Sequence, residues 1–271
     1  MSDNSSAYTE IQPRRITGIN KTGLYTLVRR EVGRFLNVYT QTLVAPMVTM
    51  LLFYAVFALA FGGIARHIGD VPYMEFLAPG LIMMTMAQNA FANTSSSLVI
   101  SKVQGNIVDV LMPPLSPLEI YLGFASGAVL RGLLVGVLTT FAISFFVDMT
   151  PDVLWRILVF GFLGTLLMGS LGIAAGIWSE KFDHIAAVTN FIVTPLTFLS
   201  GTFYSVESLP QMWHAMTFFN PFFYMIDGFR SGFIGHADGN VMAGIVMLCA
   251  VNVGLAALSY AMIKTGYKIK S

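Results

Sequence analysis

The chain alternates between long apolar intervals and short segments that collect the charged residues. The apolar intervals contain no Asp, Glu, Lys or Arg apart from Arg131 in the third and Arg156 at the start of the fourth. A helix needs about 20 apolar residues to cross the ~30 Å hydrocarbon core of a bilayer. Each span is expected to be α-helical, because lipid offers no partner to free backbone groups. Six intervals predict membrane-spanning helices, at about residues 40–62, 76–100, 120–147, 154–178, 185–204 and 241–263.

A seventh uncharged interval, from Ser208 to Ile226, contains Pro210 and the break Asn220-Pro221, so it does not predict a continuous span. Ser208 can cap one short helix with Pro210 in its first turn. A second helix is expected from about Phe222 to Ile234, with Asp227 and Arg230 spaced i, i+3 as a possible pair. The segment is rich in phenylalanine, which favours a re-entrant hairpin buried at the outer leaflet over a plain extracellular loop.

Basic residues cluster before the first span and after the last, and cytoplasmic loops carry an excess of Lys and Arg. This distribution predicts that both termini are cytoplasmic, which requires an even number of crossings and supports six spans. The basic residues expected on the cytoplasmic side are Arg14, Arg15, Lys21, Arg29, Arg30, Arg34, Lys102, Lys181, Lys264, Lys268 and Lys270.

Residues 1–20 lack the apolar stretch of a cleavable signal peptide and are predicted to be a disordered cytoplasmic tail. Residues 21–271 are predicted to form one transmembrane domain. It begins with an amphipathic helix at about 21–39, where Arg29, Arg30 and Arg34 occupy the face opposite the apolar residues. This pattern indicates a helix lying in the cytoplasmic interface, its arginines directed to anionic headgroups. Packing against a partner protein is the alternative, and both can hold.

The cytoplasmic loop after the second span, residues 101–118, predicts a short rigid helix. Gln104-Gly105-Asn106 breaks the preceding helix, and Pro113, Pro114 and Pro117 end the next one, because proline removes a donor and clashes with the previous turn. Two interpretations remain: an ordinary connecting turn, or a docking element for a cytoplasmic motor. The candidate docking residues are Asn106, Ile107, Asp109, Val110 and Leu111.

Composition agrees with a membrane protein: 55% of the residues are hydrophobic and 11% are charged, whereas soluble domains average about 25% charged residues. The lone Cys249 and four scattered histidines predict no metal site. Gly18–Gly23 begins like a phosphate-binding loop but is followed by Leu24-Tyr25 instead of Lys-Ser/Thr, so no ATP site and no cofactor are expected in this chain. Neither a nucleophile elbow nor a His-Glu-x-x-His motif occurs, so the chain is not expected to be an enzyme.

Arg131 is the one Asp, Glu, Lys or Arg side chain in the interior of a predicted span, since Arg156 lies at the start of the fourth. It could line the translocation path, pair with a neighbouring carbonyl, or reach the cytoplasmic interface. Glycines spaced i, i+4 predict close helix packing, within one subunit in preference to a dimer contact. These pairs are Gly123 and Gly127, Gly132 and Gly136, and Gly172 and Gly176.

The order and spacing of several motifs resemble the permease subunits of type-2 ATP-binding-cassette (ABC) exporters, and within them the bacterial YadH-type inner-membrane transport permeases. The resemblance extends from about residue 24 over nearly the whole chain. The motifs are Phe76–Gly80, Asn106–Pro114 with Ser116-Pro117, Pro195–Thr197, Ser200–Ser205, Leu209-Pro210, Asn220-Pro221 and Asp227–Arg230. Residues 104–106 depart from the pattern, which leaves open which ATPase is the partner.

The resemblance implies a homodimer of permeases bound to two copies of a cytoplasmic ABC ATPase, which would bind the ATP and Mg²⁺. The ATPases would push on a coupling helix at about 106–112 and on the interfacial helix at about 21–37. A hydrophobic, amphipathic or glycan-type substrate would then leave across the bacterial inner membrane, past an outer gate that includes Pro210, Asn220, Pro221, Asp227 and Arg230. The alternatives are a secondary transporter, which would need paired ionisable groups in the spans, a channel, or a non-transporting scaffold of an ATPase complex.

Overall fold

The computed structural model describes residues 18–61, 67–68, 71–206, 210 and 217–269. The predicted tail, apart from residues 18–20, and the first helix predicted for the outer hairpin lie outside these residues. The described elements in chain order are α1 (Lys21–Leu36), a π-helical turn (Thr40–Val44), α2 (Ala45–Phe61), β1 (His67–Ile68), β2 (Val71–Pro72), α3 (Tyr73–Val103), α4 (Ile107–Leu111), α5 (Pro117–Ile143), α6 (Leu154–Trp178), α7 (Phe182–Val188), a second π-helical turn (Thr189–Val193), α8 (Thr194–Phe198), α9 (Pro221–Ile234) and α10 (Val241–Thr265).

Helix α3 lies at the centre of the molecule and packs against α5, α6 and α9. Its side chains are buried almost all round the helix, including Leu77, Ile82 and Met83. A helix buried on every side can carry polar residues only where they find partners within the protein. Helices α2 and α10 lie at the periphery, where most of their apolar side chains are exposed.

The glycine pairs of α5 and α6 are packing surfaces within the chain, as the sequence predicts. A Cβ atom on Gly172 would lie 2.6 Å from the carbonyl oxygen of Phe91 on α3, and one on Gly176 would lie 2.9 Å from the Cβ atom of Leu98. On α5, a Cβ atom on Gly127 would lie 2.8 Å from Cβ of Glu31, so α1 packs directly on the α5 backbone. Without these glycines the helices could not approach so closely.

Four of the described helices are long enough and apolar enough to cross a membrane: Thr40–Ala60, α5, α6 and α10. Helix α3 has 31 residues but is less apolar, because residues 93–97 are Asn-Thr-Ser-Ser-Ser. Six spans therefore remain a prediction for the chain as a whole.

The fifth predicted span differs most from the structure. The helix predicted to end at Tyr204 ends at Phe198, so α7, the π-helical turn and α8 cover residues 182–198 and reach only about 25 Å at ~1.5 Å per residue. The chain turns there because Gly201 adopts a left-handed conformation (φ 73°) and the Thr202 hydroxyl donates a hydrogen bond to Thr197 O at 3.0 Å. A two-stranded antiparallel pairing of β1 with β2, which the sequence did not predict, precedes α3.

Candidate functional site

The loop between α3 and α5, predicted to be cytoplasmic, contains the short helix that the sequence predicts. Helix α4 covers Ile107–Leu111, follows a left-handed Gly105 (φ 76°), and is succeeded by the two prolines at 113 and 114. Its outer face exposes Asn106, Val108 and Asp109, and Met112 beyond its end is 76% exposed. The loop is thus a stiff projection with two large apolar side chains directed away from the protein.

The predicted docking anchors Val110, Ile107 and Leu111 point the other way. Val110 is only 3% exposed, and all three pack in a cluster with residues of α5, α6 and the C-terminal segment. Residues at i, i+3 and i+4 share one face of a helix, and in α4 that face turns to the protein. Val110 is therefore packed within its own chain, whereas Ile107 and Leu111 are half-buried. Docking through these residues stays a prediction, and Val108 and Met112 are the more exposed apolar side chains of this loop.

A network of hydrogen bonds joins the beginning of α1 to this loop. Ser116 and Glu119 form a capping box at the start of α5: the Ser116 hydroxyl accepts from Glu119 N at 3.3 Å, and Glu119 Oε2 accepts from Ser116 N at 2.6 Å. Glu119 also accepts a short hydrogen bond from Asn20 N. Asn20 in turn caps α1 and donates from Nδ2 to Pro114 O at 3.2 Å. The sequence signal was present, because Ser-Pro-Leu-Glu before an apolar run is a capping-box pattern, but it was missed.

A groove of about 350 Å³ separates α1 from α4 on the same face of the molecule. Arg30 lines its α1 side, Asp109 lines its α4 side, and Pro113 and Pro114 line the loop between. The groove, α4 and the start of α1 form one continuous surface. A partner that docks here contacts both predicted coupling elements at once.

Helix α1 is amphipathic as predicted, but its buried face is centred on Leu27, Glu31 and Phe35. Arg29 and Arg30 are exposed, in agreement with a headgroup-facing side. Arg34 does not face outward: its Nη2 donates to Asn93 O at 2.7 Å and to Asn93 Oδ1 at 2.9 Å on α3, and it pairs with Glu31 at 3.2 Å.

The prediction of a headgroup-directed Arg34 is wrong because Glu31 is almost fully buried and holds the guanidinium beside it. Glu31 also accepts from the Ser97 hydroxyl at 2.9 Å, so this carboxylate joins α1 to α3. A buried charge needs such partners. Sequence reasoning missed Glu31, although an acidic residue on the apolar side of an amphipathic helix was the available signal.

Arg131 lies inside the helix bundle, where its Nη2 donates to Asn89 Oδ1 on α3 at 2.9 Å. The residue is 8% exposed, and its Nε atom has no partner among the described residues. Of the three predicted possibilities, the observed contact is closest to pairing with a neighbouring oxygen, here a side-chain amide in place of a backbone carbonyl. Arg131 does not reach the interface.

The segment predicted to lie at the outer leaflet contains the second predicted helix, α9, with Asn220 as its cap and Pro221 in its first turn. Asn220 Oδ1 accepts from Phe222 N at 3.0 Å, and its Nδ2 donates to Leu196 O at 3.3 Å, so the cap also contacts α8. Pro210 is described as an exposed residue. The helix predicted around it lies outside the described residues.

Asp227 and Arg230 do not form the predicted i, i+3 pair. The Asp227 carboxylate accepts from Asp238 N at 3.1 Å and Gly239 N at 2.9 Å, which fixes the link from α9 to α10. The buried Arg230 donates to Gly201 O at 2.6 Å, and its guanidinium lies 3.8 Å from the centre of the Phe76 ring. Each residue turns to a different neighbour, because α9 is buried on both sides. Together they fasten α9 to the turn after α8 and to α3.

In the part of the chain that the structure describes, no group of three His, Cys, Asp or Glu side chains is placed to hold a metal ion.

Comparison with known proteins agrees with the observed elements. A family model described as "ABC-2 type transporter" matches residues 22–234. The inner membrane transport permease YadH of Escherichia coli K12 is 36% identical over 249 residues, which cover 92% of this chain and 97% of that protein. Nodulation protein J of Neorhizobium galegae is 25% identical over 198 residues, 69% of this chain and 72% of that protein.

Proposed function

Since the chain belongs to the ABC-2 type transporter family, we propose that it forms the membrane-spanning half of an ATP-driven exporter and moves its substrate outward. Its homologue YadH is an inner membrane transport permease, and we assign this chain to the bacterial inner membrane as a multi-pass protein with both termini cytoplasmic. The ATP and its Mg²⁺ would be bound by a separate ABC ATPase. Two permease copies and two ATPase copies would make up the complex.

The observation that carries this proposal is the projecting α4 with its prolines. A motor can drive a membrane protein only through an element that does not bend under load, and proline stiffens a loop by fixing φ. The exposed Val108 and Met112 supply apolar contact, and Asp109 supplies a polar rim. Interfaces of this kind depend on a few central side chains.

The hydrogen-bond network formed by Asn20, Ser116 and Glu119 supports the same function. It joins the interfacial helix to the coupling loop, so a push on α4 also displaces the start of α1. From α1 the contact of Arg34 and Glu31 with α3 leads into the bundle. We propose this route as the path by which ATPase motion reaches the spans.

At the opposite end of the molecule we propose that the segment with Pro210, Asn220, Pro221, Asp227 and Arg230 forms the outer gate. Its support is the set of contacts that hold α9 in place: hydrogen bonds to α8, to the turn after α8 and to the link before α10, and the Arg230 guanidinium on the Phe76 ring of α3. The substrate we propose is a hydrophobic, amphipathic or glycan-type molecule. Arg131 is the candidate path residue.

The test of the coupling surface is co-purification of the cognate ATPase with the permease. We expect Met112→Asp to leave the permease folded, because residue 112 is exposed, and to reduce ATPase recovery at least tenfold. Phe182→Asp, an equally suitable exposed apolar site on the next cytoplasmic loop, is the matched control and should recover the ATPase as the wild type does. Equal recovery with both variants would show that the motor docks elsewhere.

Transport in proteoliposomes separates this function from a secondary transporter or a scaffold. An ABC exporter loses transport when the ATPase is omitted or vanadate is added. Transport that persists without the ATPase would indicate a secondary transporter. An ATPase that binds and hydrolyses ATP while nothing moves under any substrate tested would indicate a scaffold.

A further inference from the structure

The inner face of α4 rests on apolar side chains of its own chain, and one of them follows the end of α10. Ile269 is 6% exposed and belongs to the same buried cluster as Val110. Together with Ile107, Val110 and Leu111 it lines a cavity of only about 10 Å³, the lower limit for one water molecule. All side chains around this cavity are apolar, so α4 packs closely on its support. The supporting residues are Leu98 of α3, Ile120 and Phe124 of α5, Ile173 and Ile177 of α6, Ile263 of α10, and Ile269.

Helix α4 depends on this support for its position. It has five residues, and the side chain of its cap residue Asn106 forms no capping hydrogen bond. A helix this short is not stable without tertiary packing. Most of the supporting side chains belong to long helices of the bundle, whereas Ile269 is brought to α4 by the turn that follows α10.

The turn after α10, Gly266–Ile269, has a defined backbone conformation. Gly266 is left-handed (φ 69°), its N–H donates to Ile263 O at 3.2 Å, and Tyr267 N donates to Met262 O at 3.1 Å, a common way to end a helix. Lys268 is also left-handed (φ 51°), which is uncommon for a residue with a side chain. These two residues reverse the chain, so that Ile269 is buried against the helices.

Polar contacts hold the turn in this conformation. The Lys268 ammonium lies 2.9 Å from the Glu180 carboxylate, just after α6. Lys102, in the last turn of α3, donates from Nζ to Ile177 O at 2.7 Å and to Lys268 O at 3.5 Å. The carbonyl end of a helix carries partial negative charge, which a lysine offsets. A strained residue such as Lys268 persists where its surroundings determine it, so the turn is fixed to the ends of α3 and α6.

The buried side chain matters more to α4 than the ion pair does. Lys268 and Glu180 are both partly exposed, and exposed ion pairs contribute little to stability. Loss of buried aliphatic groups, in contrast, removes favourable packing and leaves a cavity. Ile269 is therefore the residue of the turn whose removal should be felt at α4.

We infer that the turn after α10 positions the coupling helix, with Ile269 supporting α4 from behind. The inference rests on the proposed role of α4 as the docking element. It gives α4 a second attachment, to α10, besides the hydrogen-bond network that joins its loop to α1. Ile269 is a positioning residue: it is buried within its own chain, so it acts on the ATPase only through α4.

Hydrogen–deuterium exchange of the permease alone in lipid nanodiscs tests the support. We expect amide exchange in α4 to be about tenfold faster in Ile269→Ala than in the wild type, because local opening becomes easier when its packing is lost. Ile269→Val, which removes a single carbon, should give an intermediate rate. Tyr267→Ala is the matched control, since Tyr267 is an exposed residue of the same turn and should leave exchange in α4 unchanged.

Unchanged exchange in α4 in both Ile269 variants would overturn the inference. It would also be overturned by an increase that is equally large in the middle of α6, because that pattern indicates general destabilisation in place of a local effect on α4. Thermal unfolding verifies that each variant is folded. Ile269→Val is mild enough to give a reading even if Ile269→Ala does not fold.

Recovery of the cognate ATPase tests the link to coupling. Ile269→Ala should reduce recovery at least threefold, with Ile269→Val restoring most of it and Tyr267→Ala recovering the ATPase as the wild type does. If Met112→Asp lowers recovery and Ile269→Ala does not, the ATPase docks on α4 without needing this support, and the inference is overturned. If neither variant lowers recovery, the proposed docking surface is wrong, and faster exchange in α4 would still show that Ile269 supports this helix.

Discussion

At the scale of single residues, the face of a short helix decides what a side chain does. Val108 and Val110 are two positions apart on α4, yet Val108 is 54% exposed and Val110 is 3% exposed. The sequence predicts that apolar residues are present in this helix, but it cannot tell whether an apolar side chain meets its own protein or another. Substitutions at these two positions therefore separate an effect on the stability of the permease from an effect on the docking of its partner.

We expect Val110→Asp to lower the free energy of unfolding by several kcal/mol, because it places an unpaired carboxylate in the cluster formed with Ile120, Phe124 and Ile177. Val108→Asp should leave stability within about 0.5 kcal/mol, as surface changes usually do, and should reduce ATPase recovery. Thermal unfolding in detergent with parallel ATPase pull-down measures both. A Val110→Asp variant as stable as the wild type would contradict the observed packing.

The second prediction at this scale concerns the hydrogen bond from Arg131 to Asn89. Asn89→Leu leaves a buried guanidinium without its hydrogen-bond acceptor, whereas Arg131→Leu removes the charge and leaves only an amide oxygen unpaired. Since an uncompensated buried charge is the more costly defect, Asn89→Leu should be less stable than Arg131→Leu by about 1–3 kcal/mol. Thermal unfolding compares the two variants, and equal melting temperatures would contradict this ordering.

Transport by the Arg131→Leu variant gives a separate result. If the variant is at least as stable as the wild type and transports normally, Arg131 has no role in the path. A stable variant that has lost transport assigns Arg131 to the translocation route, where it would act by orienting Asn89.

At the scale of elements, close approach of helix backbones organises the bundle. Residues 172 and 176 of α6 lie against α3, and residues 123 and 127 of α5 lie against α1. The i, i+4 glycine spacing was visible in the sequence, and the prediction of packing within one subunit is confirmed. The sequence could not identify the opposing helix, because glycine spacing shows which face of a helix allows close packing and does not show which helix packs on that face.

Gly172→Ala should reduce the yield of folded protein and its melting temperature, since the added Cβ would lie 2.6 Å from Phe91 O and the helices would have to separate. Gly254→Ala on α10 is the matched control, because nothing lies within 4 Å of a Cβ atom at that position. The control should be neutral or stabilised by up to about 1 kcal/mol, given the helix propensity of alanine. Size-exclusion yield and thermal unfolding of both variants test the difference, and equal behaviour would contradict the packing.

At the scale of the whole molecule, charge-free intervals located the helices well. The bounds predicted for the fourth span, 154–178, equal those of α6, and α10 differs from its prediction by two residues at the C-terminal end. The fifth span was overestimated because a charge-free interval shows where a helix could continue, whereas a left-handed glycine and a hydroxyl bonded to the last turn determine where it stops. Arg34, Asp227 and Arg230 were misassigned for a related reason: sequence spacing permits a pair, and tertiary neighbours select the partner.

The proposed topology predicts on which side of the membrane the C-terminus and the link from α9 to α10 lie. Reporter fusions at the C-terminus should report the cytoplasm, and fusions near Gly239, in the link from α9 to α10, should report the outside. The basis is the concentration of Lys and Arg at both ends of the chain. A C-terminal fusion that reports the outside would require an odd number of crossings and would remove the six-span arrangement.

The polar interior of α3 has a consequence for how the protein is made. Several of its side chains bond to a carbonyl four residues earlier on the same helix, as Ser95 does to Phe91 O and Ser101 to Ser97 O, so these groups are satisfied as soon as the helix forms. Asn89 Oδ1 can form its hydrogen bond only once Arg131 is present, and Thr94 can form its bond to Gly169 O only once α6 is present. Those partners are synthesised after α3. While translation is between residues 103 and 131, α3 therefore carries polar groups without their partners, and lipid cannot supply them. The insertion machinery must then retain α3 until α5 and α6 have been synthesised.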